Sequence, residues 1–160
     1  MAKKGNTPAL AYLRRHDLDH DVHTYELSGD ADSYGEAVAA ELGVEPGRLF
    51  KTLIAVVDAE PVVAIVPVSG RLALKTLAKA ANGKRAEMAD PSDAERWTGY
   101  VTGGISPFGR KRRMRVFIDE TVTAFETVFA SGGQRGIQIE VRPADLIDHL
   151  DAELAPLAGE

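Results

Sequence analysis

The chain has 160 residues, 44% of them hydrophobic, a formal net charge of −5 and no cysteine. That size and apolar share suit one globular domain with a real core spanning residues 1–160. The acidic balance argues against a general polyanion binder, and the missing thiols exclude a disulfide framework, a cysteine nucleophile and a Cys-ligated zinc site.

Thr7 before Pro8 reads as an N-cap and first helical residue, with Leu10, Tyr12 and Leu13 on one apolar side. No apolar segment follows Lys3 and Lys4, so no signal peptide is evident. "DVHTYEL" alternates as a strand. "SYGEAVAAELGV" predicts a helix with Val38, Ala39 and Leu42 inward and Gly43 at its end. Two strands follow, over 48–58 and 61–68, joined tightly enough for a hairpin. "LALKTLAKAANGK" predicts a helix stopped by Gly83, "RAEMAD" a short strand, and Asp90–Pro91 the start of a brief helix. "YVTGGISPFG" demands a tight turn. "MRVFIDE" and "TVFASG" predict strands around a helical turn, "GIQIEVR" a strand, and the segment from Pro143 onward a C-terminal amphipathic helix. Apolar runs are strand-sized, far short of the ~20 residues a membrane helix needs. Interspersed helices and tightly turned strands predict an α+β fold with a mixed, largely antiparallel, closed or barrel-like sheet and helices around it.

His16, His20 and His23 cluster with Asp17, Asp19 and Asp21, but the spacing crosses a helix end into a strand and matches no compact metal motif. A polar connection is the default, and neither a metal nor a cofactor is expected. Ser106 and Ser131 each adjoin a glycine pair, and such loops either make tight turns or let backbone N–H groups meet an anion. "RKRRMR" concentrates Arg110, Lys111, Arg112, Arg113 and Arg115 on an otherwise acidic chain. Such a run is either a solvated loop or a patch that steers a polyanion to one face. The aromatic share of 6% argues for backbone contact over base stacking. Lys51 stands at the mouth of the most hydrophobic strand, "RLFKTLIAVV". Either its stem lies on apolar surface with the ammonium in water, or it lines a partly dry cleft and presents a charge to a substrate oxygen.

"HTYE", "FKTL", "AEMADP", "TGYVTGGISPFG" and "SGGQRG" occur in that order. Together they resemble the YbaK/EbsC family of free-standing aminoacyl-tRNA deacylases, whose fold also occurs as the editing insertion of bacterial prolyl-tRNA synthetases. The resemblance covers nearly the whole chain, and its most specific parts are the two glycine loops. It implies a cleft for the tRNA 3′-adenosine and its esterified amino acid, in a cytoplasmic protein without membrane contact. The family's essential lysine falls on Lys51 and its loop glycine on Gly103. The substrate wall falls on Tyr25, Tyr34, Thr52, Gly104, Ile105, Ser106, Pro107, Ser131, Gly132, Gly133 and Gln138. Residues 110–113 and Arg115 are implied as tRNA-backbone contacts, and prolyl-tRNA synthetase as a partner. The implied reaction clears Cys-tRNA(Pro), with Cys-tRNA(Cys) as a second candidate substrate, by attack of the substrate's own thiol on its ester, giving a thiolactone. The rivals are a water-using deacylase for Ala-tRNA(Pro) or another small residue, and a tRNA-binding or regulatory module without activity. Gln138 stands where close family members carry aspartate, and Tyr34 where they carry phenylalanine; both bear on amino-acid specificity.

Overall fold

The computed structural model describes residues 6–26 and 34–159, Tyr34 by its backbone alone. Helix α1 (Pro8–Arg15) starts as its sequence dictates, with the Thr7 side chain accepting the Leu10 N–H at 3.2 Å. Strand β1 (Asp21–Thr24) and helix α2 (Tyr34–Leu42) follow. Strands β2 (Phe50–Val57) and β3 (Glu60–Pro67) pair in full antiparallel register. Their turn places Asp58 and Ala59 at φ of 48° and 73°, the positive pair of a tight hairpin.

Next come β4 (Arg71–Leu72), α3 (Leu74–Ala80), β5 (Ala86–Met88), α4 (Pro91–Thr98) and β6 (Arg115–Asp119). The last part holds β7 (Val128–Ser131), β8 (Ile137–Val141), α5 (Pro143–Leu150), β9 (Glu153–Ala155) and β10 (Ala158–Gly159). The predicted C-terminal helix is therefore cut short. Asp151 turns left-handed at φ 51°, and the chain continues as two short strands. The buried Asp119 carboxylate holds them there, accepting the N–H groups of Leu157 and Ala158 at 2.8 Å each.

A central five-stranded sheet runs β5-β2-β3-β6-β9, and a second sheet runs β1-β8-β7. The central sheet is mixed. β6 pairs parallel with both β3 and β9, because the long crossover between residues 68 and 114 returns the chain in the same direction. Both faces of this sheet are buried, so its strands read as continuous apolar runs. Phe50, Ile54, Val63, Ile65, Val116 and Ile118 face one core, shared with α1, α4 and the second sheet. Ala55, Val57, Val62, Ala64, Val66 and Phe117 face another, capped by Leu77 of α3 and by Leu157. A third core beneath α2 gathers Tyr25, Val38, Ala39, Leu49, Val68 and Phe129.

The closed sheet expected from the sequence is not formed among the described residues. The two sheets meet through a single parallel bridge, Leu49 to Phe129, and beyond it β2 and β7 are not paired. On its other edge β2 is paired with β5 only from Ala55 to Val57. The seam that would close a barrel is left open, and a cleft occupies it.

Candidate active site

The cleft has a volume of about 840 Å³ and opens beside the start of β2 and the end of β7. β2 contributes Lys51 and Thr52, β7 Ser131 and β8 Gln138. Gln138 pairs in register with both Ser131 and His23, so the second sheet fixes its place. The loop between α4 and β6 adds Gly103 and Ile105. The sequence thus identified six lining residues, drawn from four separate segments.

The two glycine loops are built on one another. Gly103 has φ 92°, and a Cβ there would come within 2.6 Å of the Arg135 Nε. A Cβ on Gly104 would meet the Gln134 and Arg135 backbone at 3.1–3.2 Å. Glycine is therefore required at Gly103 by conformation, and a side chain there would also displace the end of the Arg135 side chain. Ser131 Oγ accepts the Gly133 N–H at 3.1 Å, which tightens the second loop.

Several expected wall residues lie elsewhere. Gly104 lies behind the wall, with its N–H donated to the Val101 carbonyl at 2.9 Å. Ser106 is fully buried and its Oγ accepts the Phe108 N–H; it shapes the loop and does not line the cleft. The Pro107 carbonyl accepts from the Arg110 Nε at 2.9 Å, on the far side of the loop. Gly132 and Gly133 pack inward: the Gly132 carbonyl accepts the Thr7 hydroxyl at 2.6 Å, and a Cβ on Gly133 would strike Thr7 and Tyr100. Tyr25 is buried in the third core with Leu49 and Val68, one layer behind residues that do line the cleft. The side chain of Tyr34 lies outside the described residues. Adjacent motif residues divide between the cleft and the structure behind it because neighbours on a loop or strand point to opposite sides.

The structure adds charges that the sequence reading did not select: Glu36 at the start of α2, Arg71 on β4 and Arg135. Burial lowers the pKa of the half-buried Lys51 below its ordinary value; Arg71 lowers it further and Glu36 opposes. Arg135 sat inside a motif already singled out, but nothing local marked Glu36 or Arg71. Two polar atoms of this wall, Thr52 Oγ1 and Gln138 Oε1, are buried without a hydrogen-bond partner. A buried polar atom left unpaired costs on the order of 1–3 kcal/mol, so these two fit a wall that a polar ligand completes.

The histidines do not converge. His23 Nε2 lies 3.0 Å from Glu140 Oε1, His20 Nδ1 lies 2.8 Å from the Leu18 carbonyl, and His16 caps α1 beside Tyr12. No helix of the described residues is long and apolar enough to cross a membrane.

A half-open cleft between two strand systems, with an apolar lining interrupted by a lysine, a few polar side chains and paired glycine loops, defines a candidate small-ligand site of an α+β domain. The chain belongs to the family of aminoacyl-tRNA editing domains, which it matches over residues 29–149. It is 37% identical, across 98% of both chains, to EbsC of Enterococcus faecalis, whose name proposes a Cys-tRNA(Pro)/Cys-tRNA(Cys) deacylase. It is 27% identical to the multifunctional Ser/Thr-tRNA deacylase ProXp-y of Escherichia coli K12, over 91% of this chain and 87% of that one. Its fold matches that of a proposed trans-editing enzyme for prolyl-tRNA synthetase, with a TM-score of 0.86 at 21% identity and full coverage of both chains.

Proposed function

We propose that this protein is a free-standing deacylase that removes cysteine from mischarged tRNA(Pro). The observation that carries the reading is the cleft itself: Lys51, Gly103 and Ser131 converge there with two unpartnered buried polar atoms, Thr52 Oγ1 and Gln138 Oε1. An esterified amino acid brings what those atoms lack. Its α-ammonium donates, which suits the Gln138 carbonyl oxygen, and its ester and ribose oxygens accept, which suits the Thr52 hydroxyl.

The chemistry needs no protein nucleophile, and this chain has no cysteine to offer one. The substrate thiol loses its proton and its sulfur attacks the ester carbonyl. The carbonyl C–O bond to the ribose then breaks, and the departing ribose oxygen takes a proton. The products are a cyclic thiolactone and free tRNA. The attack is intramolecular, so holding the arm folded supplies much of the rate, with effective molarities reaching ~10⁵ M or more. The Lys51 ammonium stabilises charge developing on oxygen and raises the thiolate fraction of a nearby thiol whose free pKa is ~8.5. Gly103 lets the backbone approach the reacting ester closely. Cysteine and proline are similar in size, so a synthetase pocket rejects cysteine poorly and a second site clears the error. Prolyl-tRNA synthetase is the partner that would supply charged tRNA.

Release of amino acid from Cys-, Ala-, Ser-, Thr- and Pro-charged tRNA(Pro), with Lys51→Ala as control, tests the reading. Cysteine is expected to be released fastest, and S-alkylation of the cysteine is expected to stop release. Fast release of S-alkylated cysteine would instead establish water as the nucleophile. Fast release of alanine, serine or threonine with little of cysteine would move the specificity, and tRNA binding without any release would leave a binding module.

A further inference from the structure

Arg115 stands apart from the rest of its basic run. Arg115, on β6, lies against carboxylates: its guanidinium is 3.8 Å from both Glu60 and Glu153, donates to the Ala81 carbonyl and sits over the Phe117 ring. The cavity on that side is lined by Glu60, Asp151 and Glu153 as well as by Arg115, and it shares Arg110, Arg112 and Arg113 with its neighbour. The other side differs in kind. A cleft of about 490 Å³ lies between α1, the loop and the end of α5. Five cations line it, Arg15, Arg110, Lys111, Arg112 and Arg113, and no Asp or Glu does among the described residues. On a chain of net charge −5, five cations without a lining carboxylate concentrate a positive potential at one place.

Arg110 is the built part of this cleft. Its Nε is fixed on the Pro107 carbonyl, which aims the guanidinium, while its Nη1 is buried with no acceptor. A buried guanidinium nitrogen without an acceptor is costly, and a phosphate oxygen is the acceptor its fork geometry fits best. Tyr12 stacks on Phe108 with ring centroids 5.5 Å apart, and its hydroxyl lies 3.2 Å from His149 Nδ1, so a rigid polar edge stands beside the arginines. The loop that ends here begins in the Lys51 cleft, at Gly103 and Ile105.

We infer that the α1-side cleft around Arg110 is a phosphodiester seat. It takes the nucleic-acid backbone of a substrate whose aminoacylated end lies in the Lys51 cleft, with Arg15 and Arg113 as outer contacts and Arg115 excluded. The inference rests on the tRNA reading of the active cleft for its ligand class, and on the charge layout for its place.

The test uses the full chain with two probes, uncharged tRNA(Pro) and a cysteinyl ester of adenosine that has no stem. The exposed pair Arg15→Gln and Arg113→Gln is combined in one variant, with Arg110→Lys separately and Arg115→Gln as comparison. The double variant is expected to bind uncharged tRNA about tenfold more weakly, with a salt slope shallower by about one per lost contact. On charged tRNA its KM rises and kcat holds, while release from the small ester is unchanged. Arg115→Gln leaves all of these as in the parent protein. Unchanged tRNA affinity and salt slope in the double variant overturn the seat, as does an equal loss of rate on the small ester. If the parent protein releases no amino acid but the double variant still loses tRNA affinity, the seat stands and the deacylase reading falls.

Discussion

The two clefts share one loop and handle positive charge in opposite ways. In the Lys51 cleft the charge is mixed and partly dry: Lys51, Arg71 and Arg135 are set against Glu36, and the half-buried ammonium stands at a strand mouth. In the Arg110 cleft it is plural, with five cations and no lining carboxylate among the described residues. The first arrangement suits chemistry at a fixed atom, where a desolvated charge acts at short range. The second suits capture of an extended polyanion, where summed charge matters more than placement and salt weakens it. One loop, 103–113, can serve both because its glycine end packs on Arg135 while its basic end packs on α1, where a Cβ on Gly109 would strike the Pro8 carbonyl.

The largest expected effect falls on the first cleft alone. Lys51→Ala should lower single-turnover deacylation by about 100-fold or more while tRNA affinity, measured by filter binding, stays within a factor of about two. A comparable loss of affinity would mean that the ammonium holds tRNA backbone, and the contrast between the clefts would collapse. Gly103→Ala comes next. It combines a φ of 92° with a Cβ 2.6 Å from Arg135, so a loss of roughly tenfold in rate is expected with about 1–3 kcal/mol of stability. Gly43→Ala is the control: its φ is 70° but nothing lies within 4 Å of the new Cβ, so thermal stability should fall modestly and the rate should hold.

The pH dependence separates the clefts more finely. Burial and Arg71 lower the Lys51 pKa, so the ammonium is present below that lowered value and is lost as pH rises through it. Deacylation should therefore decline on the alkaline side earlier than an ordinary lysine at 10.5 would allow, and Lys51→Arg should remove that limb. Uncharged-tRNA binding should show no matching decline, because arginines carry it. The smallest effect is Arg115→Ala. Its ion pairs are part-exposed and long, so thermal unfolding should show a loss of about 0–1 kcal/mol, with deacylation unchanged. A clear loss of tRNA affinity in that variant would return Arg115 to the binding face.

Much of the scaffold was legible along the chain. The β2–β3 hairpin followed from two apolar runs and a short link, and α1 from Thr7 before Pro8, because alternation and cap chemistry are local. Family membership followed from the order of short motifs, above all the two glycine loops. The same motifs also contain Ser106, Pro107, Gly132 and Tyr25, which the structure places outside the cleft lining. Sequence adjacency does not say which way a side chain points in an irregular loop.

What the sequence by itself determined is most of the longer helices and strands, the presence of a lysine at a strand mouth, and the two glycine loops that suit close ligand approach. What only the tertiary structure decided is that β2 and β7 part after one bridge instead of closing a barrel, that Arg71 and Glu36 share the cleft with Lys51, and that Arg115 leaves its run to join Glu60 and Glu153. Those outcomes depend on contacts between residues far apart in the chain. They are set by how the sheets and helices pack, which no local pattern encodes.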